Sequence, residues 1–378
     1  MSFSQSSALK CASAAVFAAI LGCGPGDGAK EFSEGKEAYI LRDLKTAERL
    51  FTESLAVAPQ DVDRILFLAR TELELGELEK AKELVDRAAG NSSGEADVIL
   101  LQSQVAWHMK DYKTAADGFS AIARDAKLDA AVRSQGWAGL GVVEMTCDNH
   151  HLARIAFLRA LRLDRKSAAA WYHLGLLYRD GFGYLEAALE QFEIFVRLEE
   201  QASPRVQKVQ RTVIPALKEQ IARAAAERPG VDKRNSAACA AAITAAEAAV
   251  KKDNLKAARE SYQKALAADP LSYPAALGLA KAWERTGAKK DDLQKAFENY
   301  KIACALRPSA VTTFLSTGSL ATKLGFSLQA VEIYSRAVAA NPNSPEAIDG
   351  LIRALHKTGG KEKVAAAYQE YRLLLARK

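Results

Sequence analysis

The chain has 378 residues, 49% hydrophobic and 26% charged, with a formal net charge of +6. That length and balance exclude a disordered polymer and a small disulfide-stapled domain, and the 7% aromatic share with abundant alanine suits close-packed helices. Beyond the first 23 residues no apolar run is long enough to cross a bilayer, which takes about 20 residues of helix.

At the amino end, serines and Lys10 precede an apolar run from Ala12 to Leu21 that closes in Ile20-Leu21-Gly22-Cys23. Residues 1–22 read as a secretory signal, too short for a spanning helix. The last four residues resemble the bacterial lipobox, which implies cleavage before Cys23 and lipid on that cysteine. Gly24 in place of Asp implies, by the enterobacterial sorting rule, the outer membrane. The expectation is a lipid-anchored protein of the bacterial cell envelope on the periplasmic side, or otherwise a secreted or periplasmic one. Residues 23–29 would be the lipidated anchor and a flexible spacer, Gly24-Pro-Gly-Asp-Gly28.

From Lys30 onward small and bulky residues fall at helical spacing in a recurring unit of helix, turn and helix. In its frame helix A carries an aromatic at position 4, Leu and Gly at 7 and 8 and Tyr at 11. Helix B carries Ala at 20, a bulky residue at 24, a small one at 27 and Pro at 32. The first copy has Gly35, Ala47, Phe51, Ser54 and Pro59; the second Ile65, Leu68, Ala69, Ala81, Val85 and Ala88; the third Ile99, Ala115 and Phe119. After a slip of four residues the fourth has Trp137, Leu140, Gly141, Ala153, Phe157 and Ala160. The fifth is the fullest, with Trp171, Leu174, Gly175, Tyr178, Ala188, Phe192 and Phe195, and one extra residue in its turn, Asp180 to Tyr184.

Ser203-Pro204 then opens a connector with Val206, Val209, Val213, Leu217 and Ile221 on one stripe, which Pro215 should kink or split. A sixth copy has Ala246, Ala258, Tyr262, Ala265 and Pro270. The seventh has Leu279, Ala280, Ala296, Tyr300, Ala303 and Pro308, with a turn from Gly287 to Asp292 longer by four. The eighth has Phe314, Gly318, Ala330, Tyr334, Ala337 and Pro342, and a degenerate ninth keeps Leu351, Val364 and Tyr368.

These residues resemble the tetratricopeptide repeat, a helical hairpin of about 34 residues. The resemblance implies an all-α solenoid of about nine stacked hairpins in two subarrays. The expected domains are an amino-terminal array over 30–202 (five repeats), a connector over 203–234, and a carboxy-terminal array over 235–378 (four repeats, the last a cap). Small residues at 8, 20 and 27 sit where helices cross most closely, so Trp137, Trp171 and Tyr178 read as core.

Little chemistry is visible. Cys147-Asp-Asn-His150-His151 is the densest set of metal-ligand types, and it falls in a turn with neighbouring histidines pointing apart. Gly181-Phe-Gly183 lacks the lysine and strand of a phosphate loop. No Ser elbow or H-E-x-x-H occurs, so no catalysis, cofactor or metal is expected. With Cys11 removed and Cys23 acylated, Cys147, Cys239 and Cys304 are too few and scattered for a disulfide framework.

Recognition is expected on the concave face, lined by positions 5, 9, 12 and 13 of helix A. In the first array these include Phe32, Lys36, Tyr39, Arg70, Glu74, Trp107 and Tyr172, a mixture suited to a peptide. In the second they give Lys251, Lys281, Arg285, Lys323, Arg353, His356 and Lys357, with Glu284 and Asp349 as the main acidic exceptions and Glu247 at position 9 of the sixth copy. One sign of charge in one groove fits an acidic protein or peptide partner, the alternative being a merely solvated face. The carboxylate clamp of chaperone-binding family members needs Asn at position 9, where this chain has none. Nucleic acid is disfavoured by the export signal. The expected function is a tethered scaffold for envelope assembly; the alternative is an envelope receptor for an anionic ligand or polysaccharide.

Overall fold

A computed structural model describes residues 27–92, 94–199, 203–228, 234–287 and 289–376. The signal segment, Cys23 and Gly24 to Gly26 lie outside the described residues. Among the described residues all regular structure is helical, and the chain divides into two compact units: residues up to 182 with 191–209, and residues 183–190 with 210 onward.

In the first unit the hairpins are α1 (Ala29–Ile40) with α2 (Leu44–Val57), α3 (Val62–Leu75) with α4 (Leu78–Asn91), α5 (Ala96–His108) with α6 (Tyr112–Arg124), and α7 (Ala130–Thr146) with α8 (His150–Leu163). α9 (Ala168–Leu176) continues as a π turn over Leu177–Phe182 before α10 (Leu185–Leu198). Local chemistry sets the ends of these helices. Asp43, Asp61 and Asp111 each accept a hydrogen bond from the backbone N–H three residues on, which satisfies a donor the helix leaves open.

The second unit holds α12 (Ile214–Ala226) and then four hairpins: α13 (Ser236–Lys251) with α14 (Leu255–Ala268), α15 (Tyr273–Thr286) with α16 (Lys290–Leu306), α17 (Val311–Leu324) with α18 (Ser327–Ala340), and α19 (Pro345–Thr358) with α20 (Glu362–Ala376). A short α11 (Pro204–Lys208), with Ser203 at its N-cap position, belongs to the first unit.

In four hairpins a glycine at position 8 lies under the bulky residue at 24. A Cβ on Gly35 would stand 2.7 Å from Phe51, and one on Gly318 2.7 Å from Tyr334, so only glycine lets these helices approach so closely. Gly141 and Gly175 are buried at such crossings, and Ala258 and Ala330, at position 20 of helix B, are buried as well. The fold is therefore a stack of tetratricopeptide-type hairpins in each unit, an all-α solenoid.

Several local expectations are corrected. The spacer is not free to its end: Ser54 donates to the Gly28 carbonyl at 2.7 Å and the Arg64 guanidinium to that of Asp27 at 2.8 Å. The extra residue of the fifth copy enters the π turn of helix A, which absorbs it with the hydrogen bonding kept inside the helix. The long seventh turn shrinks to Gly287–Lys289, because α16 begins early and runs 17 residues. In the connector the expected interruption at Pro215 is present, just ahead of the proline. Its ring clashes with the carbonyl four residues back, and a π turn over Val209–Val213 opens the ladder there before α12 resumes. Trp171 is half-buried, its indole N–H donating to the Arg165 carbonyl at 2.9 Å.

Candidate partner-binding faces

The basic residues of the second unit lie on its A helices α13, α15, α17 and α19. α13 packs on α15 and α17 on α19. Tyr300 of α16 spans the remaining junction: its hydroxyl donates to Glu284 of α15 at 2.6 Å and also engages Ser316 of α17. Lys251, Lys281, Lys323, Arg353 and Lys357 are exposed, and none forms an ion pair among the described residues. Arg353 instead hydrogen-bonds the Tyr334 hydroxyl.

The two acidic exceptions are engaged. Glu284 accepts from Tyr300, and Asp349 pairs with Arg372 at 3.2 Å. Arg285 differs from the rest of the stripe, since Asp253 holds its guanidinium at 2.8 Å. What remains is a lining in which cations outnumber carboxylates, with Glu247 of α13 exposed among them.

Two features of this geometry went unread in the sequence. Position 24 is Phe or Val in the first unit but Tyr262, Tyr300, Tyr334 and Tyr368 in the second. A buried tyrosine hydroxyl needs a partner, and Glu284 and Arg353 on the A helices supply two of them. The second is a bridge between repeats. Position 15 of one hairpin pairs with position 13 of the next: Arg42 with Glu74, and, with the signs exchanged, Asp253 with Arg285. Aligning charges in the repeat frame would have found it.

In the first unit the expected lining residues are largely occupied. Tyr39 is 7% exposed and its hydroxyl donates to Glu74 at 2.5 Å; burial and that carboxylate push its ionisation well above the ordinary range. Arg70 lies 5.6 Å over the Phe67 ring and Lys36 4.4 Å over Phe32. Trp107 donates to the Thr146 hydroxyl at 3.1 Å and meets His108 edge-on. Tyr172 packs against Phe192 and Phe195 with ring centroids 6.0 and 5.2 Å away, and Arg205 covers it at 4.9 Å. Beside it His173 is buried and stacked on Phe157, and desolvation with the nearby Arg205 charge lowers its pKa to about 3.

The histidine pair begins α8 rather than sitting in a turn, with both rings against Phe182 at 5.9 and 5.3 Å. Among the described residues no group of three or more His, Cys, Asp and Glu side chains is placed to hold a metal, and Cys147, Cys239 and Cys304 are free thiols.

Two family models, both described as tetratricopeptide repeat, match residues 38–105 and 243–310, one in each unit. No curated protein matches the chain. Among solved structures, MamA from Desulfovibrio magneticus RS-1 is 19% identical, covering 48% of this chain and 99% of that one at a TM-score of 0.36. PilF of Pseudomonas aeruginosa is 15% identical, covering 66% of this chain and 95% of that one at a TM-score of 0.39. The family assignment rests on the two matched segments and the hairpin geometry rather than on these likenesses.

Proposed function

Because the chain is a tetratricopeptide-repeat protein, we propose that it is a non-catalytic scaffold, tethered by lipid at Cys23 in the bacterial cell envelope, that holds an acidic protein or peptide partner. Tetratricopeptide domains generally bind protein partners. The finer reading rests on one observation: Lys251, Lys281, Lys323, Arg353 and Lys357 line successive A helices of the second unit, exposed and without ion-pair partners among the described residues. An acidic segment laid along these helices would gain attraction from several cations at once.

The tether is supported by Ile20-Leu21-Gly22-Cys23 behind its apolar run. Three residues separate Cys23 from Asp27, whose carbonyl is anchored, so the four steps between them span at most about 14 Å of extended chain. A protein acylated there works close to the bilayer, reaching partners in or beside the membrane. Stable anchoring takes more than one acyl chain, each buried CH₂ contributing about 0.8 kcal/mol.

The test is binding of a fluorescent Asp/Glu-rich peptide across a salt series. The isotherm should weaken steeply with ionic strength and collapse in a Lys281→Glu, Lys323→Glu, Lys357→Glu variant. Equal binding by wild type and variant would discard the acidic partner. For the tether, Cys23→Ser expressed in a bacterial envelope should lose palmitate labelling and membrane fractionation; a variant that stays labelled rules out lipid at Cys23.

A further inference from the structure

The first unit carries a second recognition surface, separate from the basic stripe. α11 is amphipathic within a single turn. Val206 and Val209 are 0% and 2% exposed, while Gln207, Lys208 and Gln210 face solvent. Arg205 points onto the ring of Tyr172 at 4.9 Å, and Tyr172 occupies position 5 of its A helix, the face expected to receive ligands. Burial holds the Arg205 guanidinium below its usual range, and the charges acting on it include Glu199, Arg42 and Glu74. The seat on Tyr172 therefore puts α11 against the A-helix face of the fifth hairpin.

The floor beneath it is built for this. Tyr172 is held between Phe192 and Phe195, and His173, buried and stacked on Phe157, is kept uncharged beside a cation. An aromatic face receives the guanidinium, and two buried valines one helical turn apart supply the apolar part of the segment.

We propose that the groove of the first unit is a helix-binding site for the pattern Arg-Val-x-x-Val, filled in this chain by its own residues 203–209. A partner helix with an arginine followed by branched apolar residues at the next position and one turn beyond competes with α11 for Tyr172. A segment tethered to its own groove acts at millimolar effective concentration. The groove therefore opens only to a ligand that outcompetes the segment or arrives at high local concentration. This site is basic-seeking where the stripe of the second unit is acid-seeking, so each can fail without the other.

The experiment uses the full chain and a fluorescein-labelled peptide of residues 203–213 (Ser-Pro-Arg-Val-Gln-Lys-Val-Gln-Arg-Thr-Val). Val206→Asp with Val209→Asp should eject α11, and the peptide should then bind at least tenfold more tightly than to wild type. Arg205→Ala, which keeps both valines, should give a smaller gain and is the variant to read if circular dichroism shows the double variant unfolded. A peptide with both valines changed to Asp should bind neither protein. Equal peptide affinity for wild type and a folded variant, or binding that ignores the valines, overturns the proposal.

Discussion

Gly141 of α7 lies directly against the ring of Phe157 on α8, where a Cβ would come within 2.5 Å of the aromatic carbons. The same pairing of position 8 with position 24 recurs at Gly175 and Phe192, where the Cβ would meet the ring at 3.0 Å. Phe157 is 0% exposed and flanked by packed neighbours, so it has nowhere to retreat. Gly141→Val should therefore destabilise the chain by about 2–3 kcal/mol, as expected for overpacking a closed core. Gly90 of α4 is the control: no atom lies within 4 Å of its Cβ position, and Gly90→Ala should stabilise by about 0.5–1 kcal/mol through helix propensity. Urea unfolding of both variants tests the pair, and equal midpoints would contradict the crossing model.

Position 15 of the repeat, at the end of helix A, takes the left-handed conformation in several hairpins. Gly76 and Gly325 meet it at no steric cost, with φ of 86° and 82°; Arg42, Lys110, Asp148 and Asp253 adopt it with φ between 54° and 67°. Arg42 and Asp253 recover part of that strain through their bridges to the next hairpin. Lys110 is exposed and forms no ion pair among the described residues. Lys110→Gly should stabilise by about 1 kcal/mol. Thermal melting checks it; a lower midpoint would mean that unfolded-chain entropy outweighs the relief.

How much of this could be read from residues alone depends on sequence distance. The crossings at Gly35, Gly141 and Gly318 were legible because 3.6-residue periodicity and a fixed hairpin length bring positions 8 and 24 together by local geometry. Insertions were not: one extra residue after Tyr178 fits equally into a loop or a π turn, and four after Thr286 fit a loop or one more turn of α16. Packing decides these cases, and it leaves no local mark. The seat of Arg205 on Tyr172 was invisible for a related reason, since residues 33 apart and outside the repeat frame share no periodic signal. The Asp253 bridge that takes Arg285 out of the expected basic stripe emerges only when charges in adjacent repeats are compared.

Glu72 of α3 is 4% exposed, and its nearest cation, Lys80, is 3.9 Å away and shared with Glu48 and Glu77. Burial first, and then the Glu48 charge, raise its pKa above the usual glutamate range. With a folded pKa above the unfolded one, its contribution is fully present below the unfolded value and is lost as pH rises through the folded value. At neutral pH the carboxylate is a liability. Glu72→Gln should melt higher than wild type at pH 7, the difference vanishing as acid protonates Glu72 in both states. A variant that melts lower at pH 7 would mean that attraction to Lys80 outweighs burial.

Asp269 has the opposite sign. It is 5% exposed at the end of α14 and takes both arms of the Arg234 guanidinium, at 3.0 and 3.1 Å, plus the Leu271 N–H at 3.1 Å. The Arg234 hydrogen bonds are the main reason its pKa lies below the usual aspartate range. A depressed folded pKa gives stability that is present above the unfolded value and disappears as pH falls through the folded one. The pair also fixes the start of α13, because the neighbouring Asn235 N–H donates to the Ala268 carbonyl at 2.8 Å. Arg234→Met should lower the melting temperature at pH 7 and expose the start of α13 to faster hydrogen exchange. The two proteins should converge in acid, once Asp269 is protonated in wild type as well. A deficit that is the same at every pH would assign the loss to packing of the arginine stem rather than to its charge.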